Sequence, residues 1–258
     1  ARHGLQLRTR LKHGAVVEVP AGALSAVAAD VDVDQLSSDY SLRSQMAVTT
    51  VSIGADQVWQ GIDGLPGVTG RGVGVAVIDS GIANVPELRG RVVVSKDFVD
   101  EHGAAIDRFG HGTHVAGIIA ANGRTGHDDT RGVAPDAHLV NLKVLDAEGN
   151  GTAGDVIQAI DWAVDNRARY GIRVINLSLG GTPQQGWRDD PICQAVERAH
   201  EAGVAVVASA GNLGKTADGK AVYGGITVPG TCPHAITVGA INTKGTVFRS
   251  DDVMASYS

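Results

Sequence analysis

The sequence predicts an α/β protein, a three-layer α/β/α arrangement in which helices cover both faces of a mostly parallel β-sheet. Short apolar segments alternate with segments of helical pattern over residues 72–242. The apolar segments are nearly continuous runs of Val, Ile, Leu and Ala, which is the pattern of strands that are buried on both faces. With 35 glycines and 4% aromatic residues in a chain of 258, the composition favours tight turns and a core of aliphatic side chains.

The individual helices and strands of this fold are predicted from the residues at their ends and from their apolar runs. The best-marked helix begins after Thr152, because Thr152 and Asp155 form a T-x-x-D capping pattern, and it is predicted to end at Gly171. A second helix opens at His111, and a third is predicted over residues 192–202. The predicted strands span residues 72–79, 92–98, 137–145, 174–180, 204–212 and 235–242.

The N-terminal part predicts a separate, small α+β unit. AVVEV at 15–19 has the composition of a β-strand, and the Ala-rich stretch 21–30 is typical of a helix. VDVDQL at 31–36 alternates apolar and acidic residues, which predicts a second, half-buried strand.

A linker is predicted between this unit and the main domain. The stretch 44–52 (SQMAVTTVS) lacks a helical period, as connecting segments do. We therefore place the boundary at Met46, which gives an N-terminal segment of residues 1–46 and a main domain of residues 47–258.

Charge and hydropathy exclude two classes of partner. The formal net charge is −6, whereas a nucleic-acid-binding protein needs a clustered basic surface. The basic run Arg2, Arg8, Arg10 and Lys12 is interpreted as a solvated or frayed terminus. No apolar run is long enough to cross a membrane, so neither nucleic acid nor a membrane is an expected partner.

The cysteines and the N-terminus say little about the compartment. Cys193 and Cys232 could form one bridge, but a single pair in a chain this long is no disulfide framework. The chain begins at Ala1 with neither an initiator Met nor a signal peptide, so we expect processing or truncation there.

In a parallel sheet, catalytic groups lie at the carboxyl ends of the strands, and the candidate catalytic residues are sought there. Asp79 ends the strand GVGVAVID, His111 opens the helix after FG in FGHGTHVAG, and Asn212 follows the strand in VVASAGN. Taken singly, D-S-G and A-G-N are ordinary turns. His111 and His114 form H-x-x-H, which lacks the Glu and the spacing of a zinc protease helix, so His114 is interpreted as structural.

Together these segments resemble the subtilisin family of serine proteases, or subtilases (peptidase family S8). VIDSG resembles its aspartate block, HGTHVAG its histidine block, and NLSLG with SAGN its substrate and oxyanion blocks, over residues 50–258. Asp79 and His111 lie 32 residues apart, in the family's order of Asp before His. The resemblance implies a subtilisin-like fold and a serine endopeptidase in which His111 is the general base, Asp79 orients it and Asn212 stabilises the oxyanion.

The same resemblance implies how substrates bind. Two segments match the family's peptide-binding edges, and an extended polypeptide substrate would add as a strand between them. They consist of Gly149, Asn150 and Gly151, and of Ser178, Leu179 and Gly180.

The N-terminal segment resembles the later part of the family's inhibitory propeptide, of the inhibitor I9 type. HGAVVEVPAGALSAVAAD at 13–30 is the matching stretch. The resemblance implies a secreted precursor whose own propeptide is an intramolecular inhibitor, with residues 43–49 close to His111.

One block of the family pattern is missing from the sequence. The nucleophilic serine of the family lies in G-T-S-M-A, which does not occur here, and it is expected about 160 residues after the histidine, near residue 270. None of Ser80, Ser178, Ser256 and Ser258 has this context. We expect the sequence to stop before the nucleophile and this chain alone to be inactive; the alternative is a catalytically inactive, peptide-binding subtilase homologue.

Two further questions are whether the protein binds a cofactor or metal ion and whether its glycines indicate a nucleotide-binding fold. The implied chemistry needs no cofactor, while a structural calcium ion at 122–131 or at Asp97 and Asp100 is left open beside an ordinary surface loop. A nucleotide-binding reading of GRGVGVAV fails, because its glycines precede the strand and a dinucleotide fingerprint follows one.

Overall fold

The computed structural model describes residues 2–11, 14–34, 36, 45–62, 64–100, 102–124, 130–216 and 218–257. The chain divides into two compact units, Ala1–Arg43 and Ser44–Ser258. The propeptide-like and peptidase domains expected at 1–46 and 47–258 stay a prediction.

The N-terminal unit is an antiparallel hairpin followed by a short helix. Strands β1 (Gln6–Leu11) and β2 (Gly14–Glu18) pair, and helix α1 (Leu24–Ala28) follows a 3-10 turn. The predicted strand 15–19 and the helix in 21–30 are confirmed. The basic run is solvated, since Arg8 and Arg10 are exposed, but it is not frayed, because Arg8 lies in β1 and forms an ion pair with Glu18 of β2; Lys12 lies outside the described residues.

The predicted strand at 31–36 is wrong. Its described residues form turns and bends, and Val31 is 94% exposed, so its apolar side chain faces no core. The Asp30 carboxylate accepts the Asp32 N–H at 3.1 Å, a local bond that competes with strand pairing.

A parallel sheet of six strands forms the centre of the second unit. The strands are β3 (Gly74–Asp79), β4 (Val92–Asp97), β5 (His138–Lys143), β6 (Ile172–Leu177), β7 (Ala205–Ser209) and β8 (Ala235–Val238). Their order in the sheet is β4-β5-β3-β6-β7-β8, which confirms the predicted α/β class. Every residue of the central strand β3 is buried, which explains its unbroken apolar sequence.

Helices cover both faces of this sheet. Helix α4 (His111–Ala120) packs against one face of β3 through Val75 and Val77, whereas α5 (Ala153–Asp165) and α6 (Pro191–Glu201) pack on the opposite face. The Thr152 hydroxyl accepts the Asp155 N–H, as the capping pattern predicts. Helix α5 ends six residues before the predicted Gly171, because the chain turns after Asp165.

The predicted linker at 44–52 is also wrong. It contains helix α2 (Gln45–Ser52), which is followed by α3 (Ala55–Gln60). Arg249 donates its Nε–H to the Ser52 carbonyl at 2.6 Å, and the Ser52 hydroxyl bonds to Val48 in the same helix and to Thr246. Contacts nearly two hundred residues distant in sequence therefore stabilise a helix whose own periodicity is weak.

Two further features complete the second unit. The segment predicted as one strand at 235–242 is divided into β8 and β9 (Ile241–Asn242), and β9 pairs with β10 (Val253–Met254). Cys193 of α6 forms a disulfide with Cys232. Within the described part of the chain, no helix is long and apolar enough to cross a bilayer.

Candidate active site

Asp79 occupies the carboxyl end of the central strand. It is the last residue of β3 and is 0% exposed. Its Oδ1 accepts the Ser80 N–H at 2.7 Å. An ionised carboxylate at such a depth needs partners that donate hydrogen bonds, and His111 is the next of them.

His111 is the first residue of α4, and its ring meets the Asp79 carboxylate. Nδ1 lies 2.8 Å from Oδ1 and 2.9 Å from Oδ2 of Asp79. Because an ionised carboxylate only accepts hydrogen bonds, Nδ1 carries the proton in the neutral ring, and Nε2 then keeps its lone pair. The His111 side chain is 41% exposed. The pair can therefore take a proton at Nε2 and hold the resulting imidazolium against a buried negative charge.

The short distance between these side chains depends on a glycine. Gly112 follows His111, and a Cβ at this position would overlap the carbonyl oxygen of Gly81 and lie 3.2 Å from the Asp79 Cβ. Only glycine lets the first turn of α4 approach the end of β3 this closely.

Asp107 is a further member of the site that the sequence analysis missed. Its carboxylate accepts hydrogen bonds from Ser80 Oγ and from the start of α4, including Thr113. Burial desolvates this carboxyl, which raises its pKa, but the hydrogen bonds from Thr113, Gly110 and Ser80 outweigh desolvation and hold the pKa below its usual value. An Asp three residues before a glycine at a helix start was the available sequence signal.

Lys143 is a second missed residue beside the pair. It is buried at the end of β5, where its backbone pairs in register with Asp79. Its Nζ donates to the carbonyls of Ser80 at 2.7 Å and Leu145 at 2.5 Å. Lys143 of β5 thereby holds Ser80, the residue that follows Asp79, in place.

A cleft of about 680 Å³ opens beside His111. Apolar side chains, among them Leu145, Val156 and Ile192, line part of its wall. The residues predicted to bind substrate all line this same cleft, namely Gly149, Asn150, Gly151, Ser178, Leu179 and Gly180.

The loop that carries Gly149 is built by local bonds. The Asp146 carboxylate accepts the N–H groups of Glu148 and Asn150 at 2.9 and 2.8 Å. Gly149 has φ of +82° and faces the Phe109 ring, where a Cβ would collide with the ring. A side chain here is excluded by both the backbone and the neighbouring wall of the cleft.

Asn212 and His114 do not line this cleft. Asn212 is exposed three residues after β7 and is not part of the cleft wall. His114 is exposed on α4, and the described residues contain no group of three or more His, Cys, Asp or Glu side chains able to hold a metal.

The serines do not complete a triad within the described residues. Ser80 is buried and its hydroxyl bonds to Asp107, while Ser178 in the cleft accepts from Asn176. Ser256 lies beside a separate cavity, and Ser258 is outside the described residues. Where the chain is described, His111 has no hydrogen bond to a serine hydroxyl.

Asp97 and Asp100, one of the two places left open for a structural calcium ion, use carboxylate oxygens in local turns. Oδ1 of Asp97 accepts the N–H groups of Val99 and Asp100, and Asp100 Oδ1 accepts the His102 N–H. These bonds close local turns of the kind that Asp favours. The other candidate, 122–131, includes residues 125–129, which lie outside the described residues.

Comparisons with known proteins agree on one family. The family model described as the Subtilase family (Peptidase S8) matches residues 70–258. Serine protease AprX of Bacillus subtilis (strain 168) is 37% identical over 196 residues, which are 74% of this chain and 43% of that protein. Subtilisin Savinase of Lederbergia lenta is 42% identical over 175 residues, 67% of this chain and 57% of that protein.

Solved structures agree with the sequence relatives. Sphericase superimposes with a TM-score of 0.63 at 34% identity, covering 80% of this chain and 64% of that chain. S41 Psychrophilic Protease gives a TM-score of 0.64 at the same identity and coverage. The chain spans about half the length of the curated relatives it matches.

Proposed function

The chain belongs to the subtilase family, and from this premise we propose that it carries the acid–base half of a serine endopeptidase site together with the cleft for the polypeptide substrate. The observation that carries the proposal is the contact of His111 Nδ1 with both oxygens of Asp79, at 2.8 and 2.9 Å. This contact leaves Nε2 as the proton acceptor, which is the form that activates a serine hydroxyl.

In the proposed reaction His111 moves one proton twice. Nε2 takes the serine Oγ–H proton as that oxygen attacks the carbonyl carbon of the scissile bond, and it then gives the proton to the departing amine. Asp79 stays ionised and stabilises the imidazolium. Asn212 donates a hydrogen bond to the oxyanion, an interaction worth about 2.7–4 kcal/mol for the corresponding amide of a subtilisin.

The substrate is proposed to bind in an extended conformation along the cleft. Backbone groups of 149–151 and 178–180 pair with its main chain as an added strand, and the apolar wall receives side chains. Residues 1–46 are proposed to act as a propeptide that inhibits the same cleft. The disulfide Cys193–Cys232 favours an oxidising compartment, which supports secretion.

A further part of the proposal concerns whether residues 1–258 can catalyse the reaction without other parts of the protein. Because no serine hydroxyl of the described residues bonds to His111, we propose that this chain is inactive by itself. The chemistry uses protein groups alone and no cofactor. The same observation favours the second candidate, a peptide-binding homologue without catalysis.

A fluorophosphonate probe separates these candidates, because it bonds covalently to a serine that an adjacent base activates. Residues 1–258 and the natural gene product that contains them are incubated with the probe, each beside its His111→Ala variant. Labelling of the gene product alone, abolished by the substitution, supports the endopeptidase. Labelling of neither contradicts it in favour of the binding homologue, and stoichiometric labelling of residues 1–258 contradicts their inactivity.

A further inference from the structure

The carboxylate of Asp107 collects five hydrogen-bond donors. Oδ1 accepts from Phe109 N–H at 3.1 Å, Gly110 N–H at 2.7 Å and Ser80 Oγ at 2.9 Å. Oδ2 accepts from the Thr113 N–H at 2.9 Å and the Thr113 hydroxyl at 2.5 Å. The donors come from both sides of the site, since Ser80 follows β3 and Thr113 belongs to α4. One carboxylate thus joins the two elements that carry the acid–base pair.

Helix α4 needs such a partner because its own N-cap provides none. The N-cap is Gly110, which has no side chain, and the first turn contains no acidic residue. The first N–H groups of a helix have no partner within it. Thr113 N–H is satisfied by Asp107, and Gly112 N–H by Ser80 Oγ at 2.9 Å. A carboxylate near a helix N-terminus is also favoured by the helix dipole.

Ser80 transmits this arrangement to Asp79. Its hydroxyl donates to Asp107 and accepts from Gly112, while its N–H donates to Asp79 Oδ1 at 2.7 Å. Its carbonyl accepts from Lys143 Nζ, so every polar atom of this fully buried residue is bonded. A displacement of Ser80 therefore moves the acceptor that faces His111.

A second connection runs through Thr113. The Thr113 hydroxyl donates to Asp107 Oδ2 and accepts the N–H of Ala83, which follows β3. Asp107 is consequently linked to the segment after β3 at two points, Ser80 and Ala83, and to α4 at its first turn.

From this geometry we propose that Asp107 is a positioning residue, which fixes the His111 ring against the Asp79 carboxylate by holding the start of α4 to the end of β3. It contacts no reacting atom and acts through Ser80, Thr113 and the backbone. The hydrogen bonds that hold its pKa below the usual value keep it ionised at neutral pH. The inference rests on the site of the proposed function, but it concerns imidazole geometry and not peptide hydrolysis.

Nitrogen-15 NMR of the histidine side chains of residues 1–258 tests the proposal. The Asp107→Asn variant replaces one acceptor oxygen by an NH₂ group, which donates, whereas both oxygens of Asp107 face hydrogen-bond donors. We expect His111 to lose its single Nδ1–H tautomer and its Nδ1 proton to exchange with water about tenfold faster, as loss of a hydrogen bond of ordinary strength allows.

Asp218→Asn is the matched control. Asp218 is also a carboxylate with a lowered pKa, held by Lys220 and Thr216, and it lies in an exposed turn outside the site. This substitution is expected to leave the His111 signals unchanged.

Two outcomes overturn the proposal. One is an Asp107→Asn protein that unfolds at a lower temperature while the tautomer and exchange rate of His111 stay those of the parent chain, since Asp107 would then be structural only.

If Asp107→Asn does not fold, Ser80→Ala decides, because it removes the hydroxyl between Asp107 and Gly112 and keeps the carboxylate. Unchanged His111 signals in a folded Ser80→Ala protein contradict positioning through this network, and faster exchange supports it. The His111 signals report ring geometry and not peptide hydrolysis, so failure of this proposal is distinct from failure of the proposed function.

Discussion

At the residue scale, the tautomer of His111 decides whether its Nε2 can accept a proton. Asp79 imposes that tautomer through the 2.8 Å contact at Nδ1. An amide in its place can present its N–H₂ group to the ring and so stabilise the opposite tautomer.

Asp79→Asn is therefore expected to lower kcat of the natural gene product about 10⁴-fold, with little change in KM. The measurement is steady-state hydrolysis of a chromogenic peptide at neutral pH, with Asp218→Asn as the control. A loss smaller than tenfold would show that Asp79 does not set the proton position.

Asp107 gives a pH-dependent prediction at the same scale. Its pKa is lowered by folding, so its contribution to stability is fully present above the unfolded-state pKa of about 3.9 and is lost as the pH falls through the folded-state pKa. We expect Asp107→Asn to lower the free energy of unfolding at pH 7, and to lower it progressively less as the pH falls below the unfolded-state pKa towards the lower folded-state pKa. Urea unfolding of both proteins at several pH values measures this; a pH-independent difference contradicts it.

At the element scale, α4 and β3 meet through Gly112. Gly112→Ala is expected to destabilise the fold by about 1–3 kcal/mol, because the added methyl group must displace the helix from Gly81 and Asp79. Gly117→Ala in the same helix is the control, since a Cβ there meets nothing within 4 Å and alanine favours the helix by about 0.5–1 kcal/mol. Thermal unfolding of both variants decides; equal effects would refute the close approach.

The second prediction at this scale concerns the disulfide between α6 and the segment before β8. It closes a loop of 39 residues, for which chain entropy gives about 4 kcal/mol of stabilisation. The Cys193→Ala/Cys232→Ala double variant is expected to lose about 2–4 kcal/mol, measured by urea unfolding. Reductant should destabilise the parent chain and leave the double variant unaffected; a reductant effect on both would contradict this explanation.

Prediction from sequence succeeded for elements whose signals are local. The Thr152 cap and the apolar run of β3 are examples, because each is encoded within a few residues. It failed for 31–36, where the side chain of Val31 is exposed and no core supports a strand. It also failed for 44–52, where the distant partner Arg249 bonds to the end of helix α2. Asp107 was missed although four of its five donors lie within six residues of it, because its connection to β3 runs through Ser80, which is 27 residues distant in sequence.

At the scale of the whole second unit, sheet order brings the site together. β6 lies directly beside β3, so its end carries 178–180 to the same edge as Asp79. The sequence predicted the strands but not their order, because strand pairing depends on long-range contacts. The family resemblance supplied the functional grouping, and the cleft beside His111 contains all six residues it named for substrate binding.

The central claim, that His111 is the general base of a serine endopeptidase, is tested most directly by kinetics of the natural gene product. Peptide hydrolysis is compared between the parent protein and His111→Ala, with circular dichroism to verify folding. We expect kcat to fall about 10⁴- to 10⁶-fold, because the serine then has no base to take its proton. A folded His111→Ala protein that hydrolyses peptides at the parental rate would contradict it.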